Sequence, residues 1–260
     1  MSQADAETGT ADSAGPDVSR MRRHESDHDI PWALPVVVRR SKTHIARHVD
    51  VLEAAAEAVV TFLDDPRSQP EGEWHEALEH WRHGAIRKVV RRGDGKQFED
   101  AAALGCVRVQ RDSAHGFGPV DVLVLPPGPV QPLPRELKKL QVGGTEFPLG
   151  VSDSDDGSAD PATTSSATTG ALVVIELTPA AALTTGKAAA QCGHAAQLAY
   201  EQMPDQTRAQ WRAADFRVRV EFASDASWAS APPAPVRVVD AGFTEVNGPT
   251  ETARARWSHP

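Results

Sequence analysis

Residues 171–177, ALVVIEL, place two Val and one Ile within seven positions, and residues 184–203, TTGKAAAQCGHAAQLAYEQM, follow as an Ala-rich run. A short continuous apolar run of this kind is predicted as a buried strand. Thr184, Thr185 and Gly186 supply an N-cap signal, so 187–203 is predicted as a helix that Pro204 and Asp205 end. Outward from this pair, 206–216 reads as a second short helix and FRVRVEF (216–222) alternates like a strand. DASWASA (225–231) reads as a short helix, and PVRVVDAGF (235–243) as a third strand ending in a turn. After an Asn247-Gly248-Pro249 turn, TETARARW (250–257) is predicted as a polar fourth strand at the sheet edge.

The preceding hundred residues run in the same order. LPVVVRR (34–40), IRKVVRR (86–92), CVRVQRD (106–112) and VDVLVL (120–125) read as strands, with helices over 44–63, 73–84 and 97–104. Trp81-Arg82 matches Trp211-Arg212 and Gly118-Pro119 matches Gly248-Pro249, both at an offset of 130, while Val107-Arg108-Val109 matches Val236-Arg237-Val238 at 129. A shared offset that lands on the same elements points to internal duplication. The expected fold is α/β: two tandem related units, each a small mixed four-stranded sheet with helices packed on it.

The net charge of −9 is unevenly placed. Residues 1–30 hold three Lys/Arg against seven Asp/Glu, and residues 151–170 hold four Asp and no cation. Both stretches are poor in large apolar residues, the composition of solvated chain. The expected organisation is therefore a disordered acidic arm (1–30), a first unit (31–130), a flexible linker (131–170, acidic and Ser/Thr-rich from 151) and a second unit (171–260). The parts that can fold are near neutral, so the overall charge argues neither for nor against an RNA partner. No apolar run approaches the ~18 residues of a membrane helix. No apolar signal segment opens the chain, and only Cys106 and Cys192 are present, too few for a disulfide framework. A reduced cytoplasmic setting is expected.

On the 187–203 helix, Lys187, Gln191 and His194 fall at i, i+4 and i+7, one polar stripe on an otherwise Ala-rich surface. A cation at a helix N-terminus opposes the macrodipole unless it meets an anion. From spacing alone, a snorkelling lysine with a satisfied Gln and His is the better reading than a site.

These residues resemble the type 2 peptidyl-tRNA hydrolase family. ALVVIEL…TTGKAAAQCGHAAQLAY is similar to that family's opening strand and GK-x-A-AQ-x-x-H-A helix, and VRVVDAGFTEVNGPTETA is similar to its D-A-G-x-T-Q segment and second threonine. The resemblance covers residues 171–257. It implies hydrolysis of the ester between a peptide, or an N-acyl amino acid, and the 3′ end of tRNA. It also implies catalytic roles for Lys187, Asp240, Thr244 and Thr252, substrate contacts by Gly186, Gln191 and His194, and no metal or cofactor. Asp240 would activate water, the threonines would place it, and Lys187 with the helix N-terminal amides would stabilise an oxyanion or hold a phosphate. The chain departs from the family at Glu245, where Gln is usual, in a longer 178–186 loop, and in its RARWSHP ending.

The first unit then reads as a diverged, catalytically silent copy that keeps an apolar ending in VDVLVLPPGP (120–129). It carries Arg82, Arg87, Lys88, Arg91, Arg92 and Lys96 within fifteen residues, a candidate phosphate-backbone surface for substrate tRNA. Strands with such runs also occur as ordinary solvated edges. Cys106 and Cys192 read as apolar fillers, and HESDHD (24–29) as a solvated tail. The expected partner is tRNA bearing a peptidyl or N-acyl-aminoacyl group, with no membrane and with oligomerisation open. The competing expectation is a non-catalytic tRNA- or protein-binding module that keeps the hydrolase scaffold.

Overall fold

The computed structural model describes residues 30–151, 160–240 and 249–258. In the first unit, β1 (Trp32–Arg39) leads into α1 (His48–Asp64), a 3-10 turn (Pro66–Ser68), α2 (His75–His83) and β2 (Arg87–Gly93). Then come α3 (Gly95–Ala102), β3 (Val107–Arg111), β4 (Val120–Val124) and the short β5 (Gly128–Pro129). The connection holds α4 (Arg135–Lys138) and α5 (Pro161–Thr164). The second unit comprises β6 (Val173–Leu177), α6 (Thr185–Gln202), α7 (Asp205–Ala213), β7 (Val218–Phe222), α8 (Asp225–Ser230), β8 (Val236–Asp240) and β9 (Thr250–Trp257).

The two sheets share one topology, β2-β1-β4-β3 and β7-β6-β9-β8, with β5 added against β1 in the first. Each has one parallel pair and otherwise antiparallel pairs, so the protein is α/β in two similar units. Registers repeat as well: Val36 pairs with Val90 and Val124, and Ile175 pairs with Val220 and Ala255. Local chemistry follows the same offset. Trp81 Nε1 donates to the Arg87 carbonyl at 2.8 Å and Trp211 Nε1 to the Arg217 carbonyl at 2.9 Å. Ile86 and Phe216 both take positive φ, 46° and 53°, just before the strand.

Helices α1 and α6 lie side by side between the two sheets and run in the same direction. His48 and Thr185 share a 2.8 Å hydrogen bond at their first turns, and Tyr200 Oη donates to Asp64 at 2.8 Å near their last. Each helix covers its own sheet and reaches the other unit's edge strand, α1 meeting β7 and α6 meeting β2. Because sheet, helix and edge strand surround it, α1 is apolar on nearly every side. Ala188, Ala189, Ala195, Ala196 and Ala199 let α6 approach closely, and one apolar core runs through both units. The arrangement is pseudo-twofold: Asp64 pairs with Arg212, and its counterpart Glu201 lies 3.6 Å from Arg82.

Two expectations change. TETARARW is not an edge strand but lies between β6 and β8, because its inward side chains, Thr252, Ala253 and Ala255, are small enough to pack beneath α6. The connection is not a free tether over its described residues. Leu137 and Leu140 join an outer apolar cluster with Phe98 and Leu123, and Gln141 forms a backbone bridge with Arg92. Phe147 N donates to Thr185 Oγ1 at 3.0 Å, and the Pro148 carbonyl accepts from His48 N at 2.8 Å. The acidic arm, save Ile30, lies outside the described residues.

Candidate active site

Helix α6 brings its first two turns against the ends of β8 and β9. Thr184 caps the helix, its Oγ1 accepting from Lys187 N at 3.4 Å, and Lys187 stands half-exposed in the first turn. One turn on, Gln191 is buried at 3% exposure. Its Nε2 donates to Asp240 Oδ2 at 3.0 Å, and its Oε1 accepts from Thr252 Oγ1 at 2.6 Å. Asp240 ends β8 and remains half-exposed. Gln191, Asp240 and Thr252 thus meet from a helix and two strands, with Gln191 joining the other two, and Lys187 lies one turn earlier on the same helix.

A β-bulge makes this possible. Val238 pairs with Ala253 but Val239 pairs with Glu251, leaving Thr252 as the extra residue on β9. A bulge re-aims a side chain that alternation would send elsewhere. Here it turns the Thr252 hydroxyl towards Gln191. The first sheet has no such shift, since Val109, Gln110 and Arg111 pair in step with Val122, Asp121 and Val120.

Other expected site residues have different surroundings. Thr252 is fully buried, and its hydroxyl donates to Gln191. Gly186 is buried beneath the connection: a Cβ there would come within 2.5 Å of Thr145 Oγ1. His194 turns away from Asp240 towards the first unit, where its Nδ1 lies 3.2 Å from Lys88 Nζ. Burial, followed by the nearby Lys88 charge, lowers its pKa well below the usual imidazole value, so it is a poor candidate for the base. Thr244 and Glu245 lie outside the described residues.

The basic run does not form one surface. Lys88 is buried between the units, where its Nζ donates to Gln197 Oε1 at 2.5 Å and lies 4.9 Å from the Trp81 ring centre. Burial lowers its pKa to about 7. Arg92 donates to the Gly143 carbonyl at 2.9 Å and to the Gln141 side chain, holding the connection. Arg82 and Lys96 pair with Glu79 and Asp100. Arg87 is exposed and Arg91 half-exposed, on the strand face opposite Lys88. Strand alternation carries the reason: Lys88 and Arg92 share a face with Val90, which is in the core.

The first unit's copy of the cleft is inverted in charge. The α1 N-cap Arg47 corresponds to Thr184, so Asp50 stands where Lys187 stands, and Arg111 ends β3 where Asp240 ends β8. A second contact supports this helix alignment. Glu57, the counterpart of His194, accepts from Val218 N, just as His194 meets the equivalent Lys88. Asp50 is bonded to Arg47 at 2.7 Å and to Ser113, and Arg111 reaches Glu57 at 2.6 Å and Glu53 at 3.2 Å. The connection then fills the cleft. Arg47 Nη1 donates to the carbonyls of Thr163 (2.7 Å) and Ser165 (2.9 Å), and Ser166 and Thr168 donate to Glu53 at 2.5 and 2.6 Å.

Among the described residues no group of His, Cys, Asp and Glu is arranged to hold a metal, and no helix is long and apolar enough to cross a membrane. Comparison with known proteins adds no assignment, for no family model, curated protein or solved structure matches the chain.

Proposed function

We propose that the second unit hydrolyses the ester joining a peptide, or an N-acyl amino acid, to the 3′-terminal ribose of tRNA, in the cytoplasm. The observation that carries this reading is the Gln191 amide, which fixes Asp240 on one side and Thr252 on the other, one helical turn from Lys187. In this reading Asp240 takes a proton from water. Water then attacks the ester carbonyl, the bond to the ribose oxygen breaks, and the proton held by Asp240 passes to the departing hydroxyl. General-base assistance of this kind supplies roughly 10²–10⁴ in rate. Lys187, with the positive end of α6, would stabilise the charge that develops on the carbonyl oxygen. Of the basic run, the exposed Arg87 and half-exposed Arg91 would be the ones to meet tRNA phosphates.

One observation favours a second reading, a tRNA- or protein-binding module without turnover. The connection covers the α6 N-terminus at Gly186, Lys88 is buried between the units, and Arg92 is held by the connection at the surface. Incubating the full chain with N-acetyl-aminoacyl-tRNA separates the two. Release of N-acetyl amino acid supports the hydrolase, and retention of intact substrate in a stable complex supports the binding module.

A further inference from the structure

Residues 141–151, QVGGTEFPLGV, cross the N-terminal end of α6, and their fastenings are uneven. Before the crossing, Gln141 and Arg92 exchange two backbone hydrogen bonds, at 2.8 and 3.1 Å. After it, Val151 N donates to Thr163 Oγ1 at 3.0 Å. Between these anchors, the hydrogen bonds from residues 145–149 to the rest of the protein are three among the described residues. Arg40 Nε donates to the Glu146 carbonyl at 3.0 Å, Phe147 N to Thr185 Oγ1 at 3.0 Å, and His48 N to the Pro148 carbonyl at 2.8 Å. Helix α6 supplies one of them, through the Thr185 hydroxyl. The cover of the α1 N-terminus is held differently: the fully buried Arg47 and Glu53 make four hydrogen bonds to residues 163–168.

Glycine flanks residues 145–149 on both sides. Gly143 and Gly144 are exposed, Gly144 takes φ 63°, and a Cβ on Gly143 would meet nothing within 4 Å. Gly150 follows Leu149, an apolar side chain left 56% exposed. Glycine adopts either sign of φ at little cost, so these positions can absorb a change of chain direction. We propose that residues 145–149 are a lid over the first turn of α6, hinged at Gly143–Gly144 and Gly150, which opens while Gln141 and Val151 stay anchored. Closed, Thr145 lies against Gly186 and Phe147 packs into the core. Open, the lid uncovers Thr185 and Gly186, beside Lys187. The identity of what enters rests on the hydrolase reading. Any ligand that needs this end of α6 binds only the open fraction, which weakens its apparent affinity in proportion.

The test is native-state hydrogen exchange of the full chain without substrate, read residue by residue. The Phe147 and His48 amides bond across the lid boundary, the Gln141 and Arg92 amides across the upstream anchor. Val59 and Val60 lie in the buried middle of α1. Expected is one common protection factor for Phe147 and His48, on the order of 10²-fold or more below that of Val59 and Val60, with Gln141 and Arg92 better protected than the lid pair. Arg40→Ala removes a lid bond without touching the partner of either lid amide, and it should speed exchange at both by about tenfold. Exchange of Phe147 and His48 as slow as that of Val59 overturns the lid. So does loss of protection at Gln141 and Arg92 in step with the lid pair, which makes the whole connection the moving part, and so does wild-type exchange at His48 in Arg40→Ala. Ester turnover is measured separately. A moving lid on a chain that cleaves no ester keeps the lid and removes the hydrolase, whereas turnover beneath an immobile cover does the reverse.

Discussion

Gln191 Nε2 lies 3.0 Å from Asp240 Oδ2, and the amide can make this bond in only one orientation, because its Oε1 receives the Thr252 hydroxyl at 2.6 Å. Two buried groups therefore aim one half-exposed carboxylate. Gln191→Ala should lower kcat by about 10²-fold through misplacement of Asp240. Thr252→Val should cost about 1–3 kcal/mol of stability, since it leaves the amide oxygen buried without a donor. The two substitutions share one chain of bonds, so a double-mutant cycle read by kcat and by chemical unfolding should show coupling of roughly 0.5–3 kcal/mol. Simple additivity would mean that the residues act independently.

Gly186 distinguishes structural cover from ligand contact. A methyl group there meets Thr145 Oγ1 at 2.5 Å. Gly186→Ala should displace the 145–148 segment and destabilise the chain by about 1–3 kcal/mol. Calorimetry together with hydrogen exchange at Phe147 checks this. Unchanged stability with weakened tRNA binding would instead give the glycine a direct role in recognition.

Lys88 carries a pH signature. Its folded pKa is lowered from 10.5 to about 7 by burial. Between those values the unfolded chain keeps a proton that the folded chain has lost. Stability from this group therefore rises with pH across that window, by up to about 1.4 kcal/mol per pH unit, and is flat below it. Chemical unfolding from pH 6 to pH 10 should show the rise in the wild-type chain and lose it in Lys88→Met. An identical pH dependence in both would place the charge of Lys88 in water.

Glu53 fastens the connection to the first unit. It accepts from Ser166, Thr168 and Val220 N while pairing with Arg111. Glu53→Ala should cost about 1–3 kcal/mol, because it leaves Val220 N and the Ser166 and Thr168 hydroxyls without their buried acceptor. It should also expose residues 163–168 to hydrogen exchange and proteolysis. Protection as in the wild-type chain would show that the segment is held by other contacts.

The sequence made the two-unit α/β plan legible because strand and helix periods, turn residues and the repeated Trp-Arg and Val-Arg-Val stations agreed with one another. Asp240 and Gln191 could be named from resemblance, yet their contact could not, since 49 residues separate them. The bulge at Thr252 left no mark, for Thr-Glu-Thr-Ala reads as plain alternation, and the small residues of β9 resembled an edge. Lys88 looked like part of a basic surface, although its spacing of two from Val90 already placed it on the inner face. The hydroxyl-rich stretch 163–168 looked like solvated chain because its partners, Arg47 and Glu53, are more than a hundred residues away in sequence.

Single-turnover release of N-acetyl amino acid from N-acetyl-aminoacyl-tRNA, by the wild-type chain beside Asp240→Asn and Lys187→Ala, tests the central claim most directly. Release by the wild-type protein is expected, with a fall of at least about 10²-fold in each variant and unfolding midpoints unchanged. A folded wild-type chain that leaves the ester intact, or variants that release as fast as wild type, would contradict it.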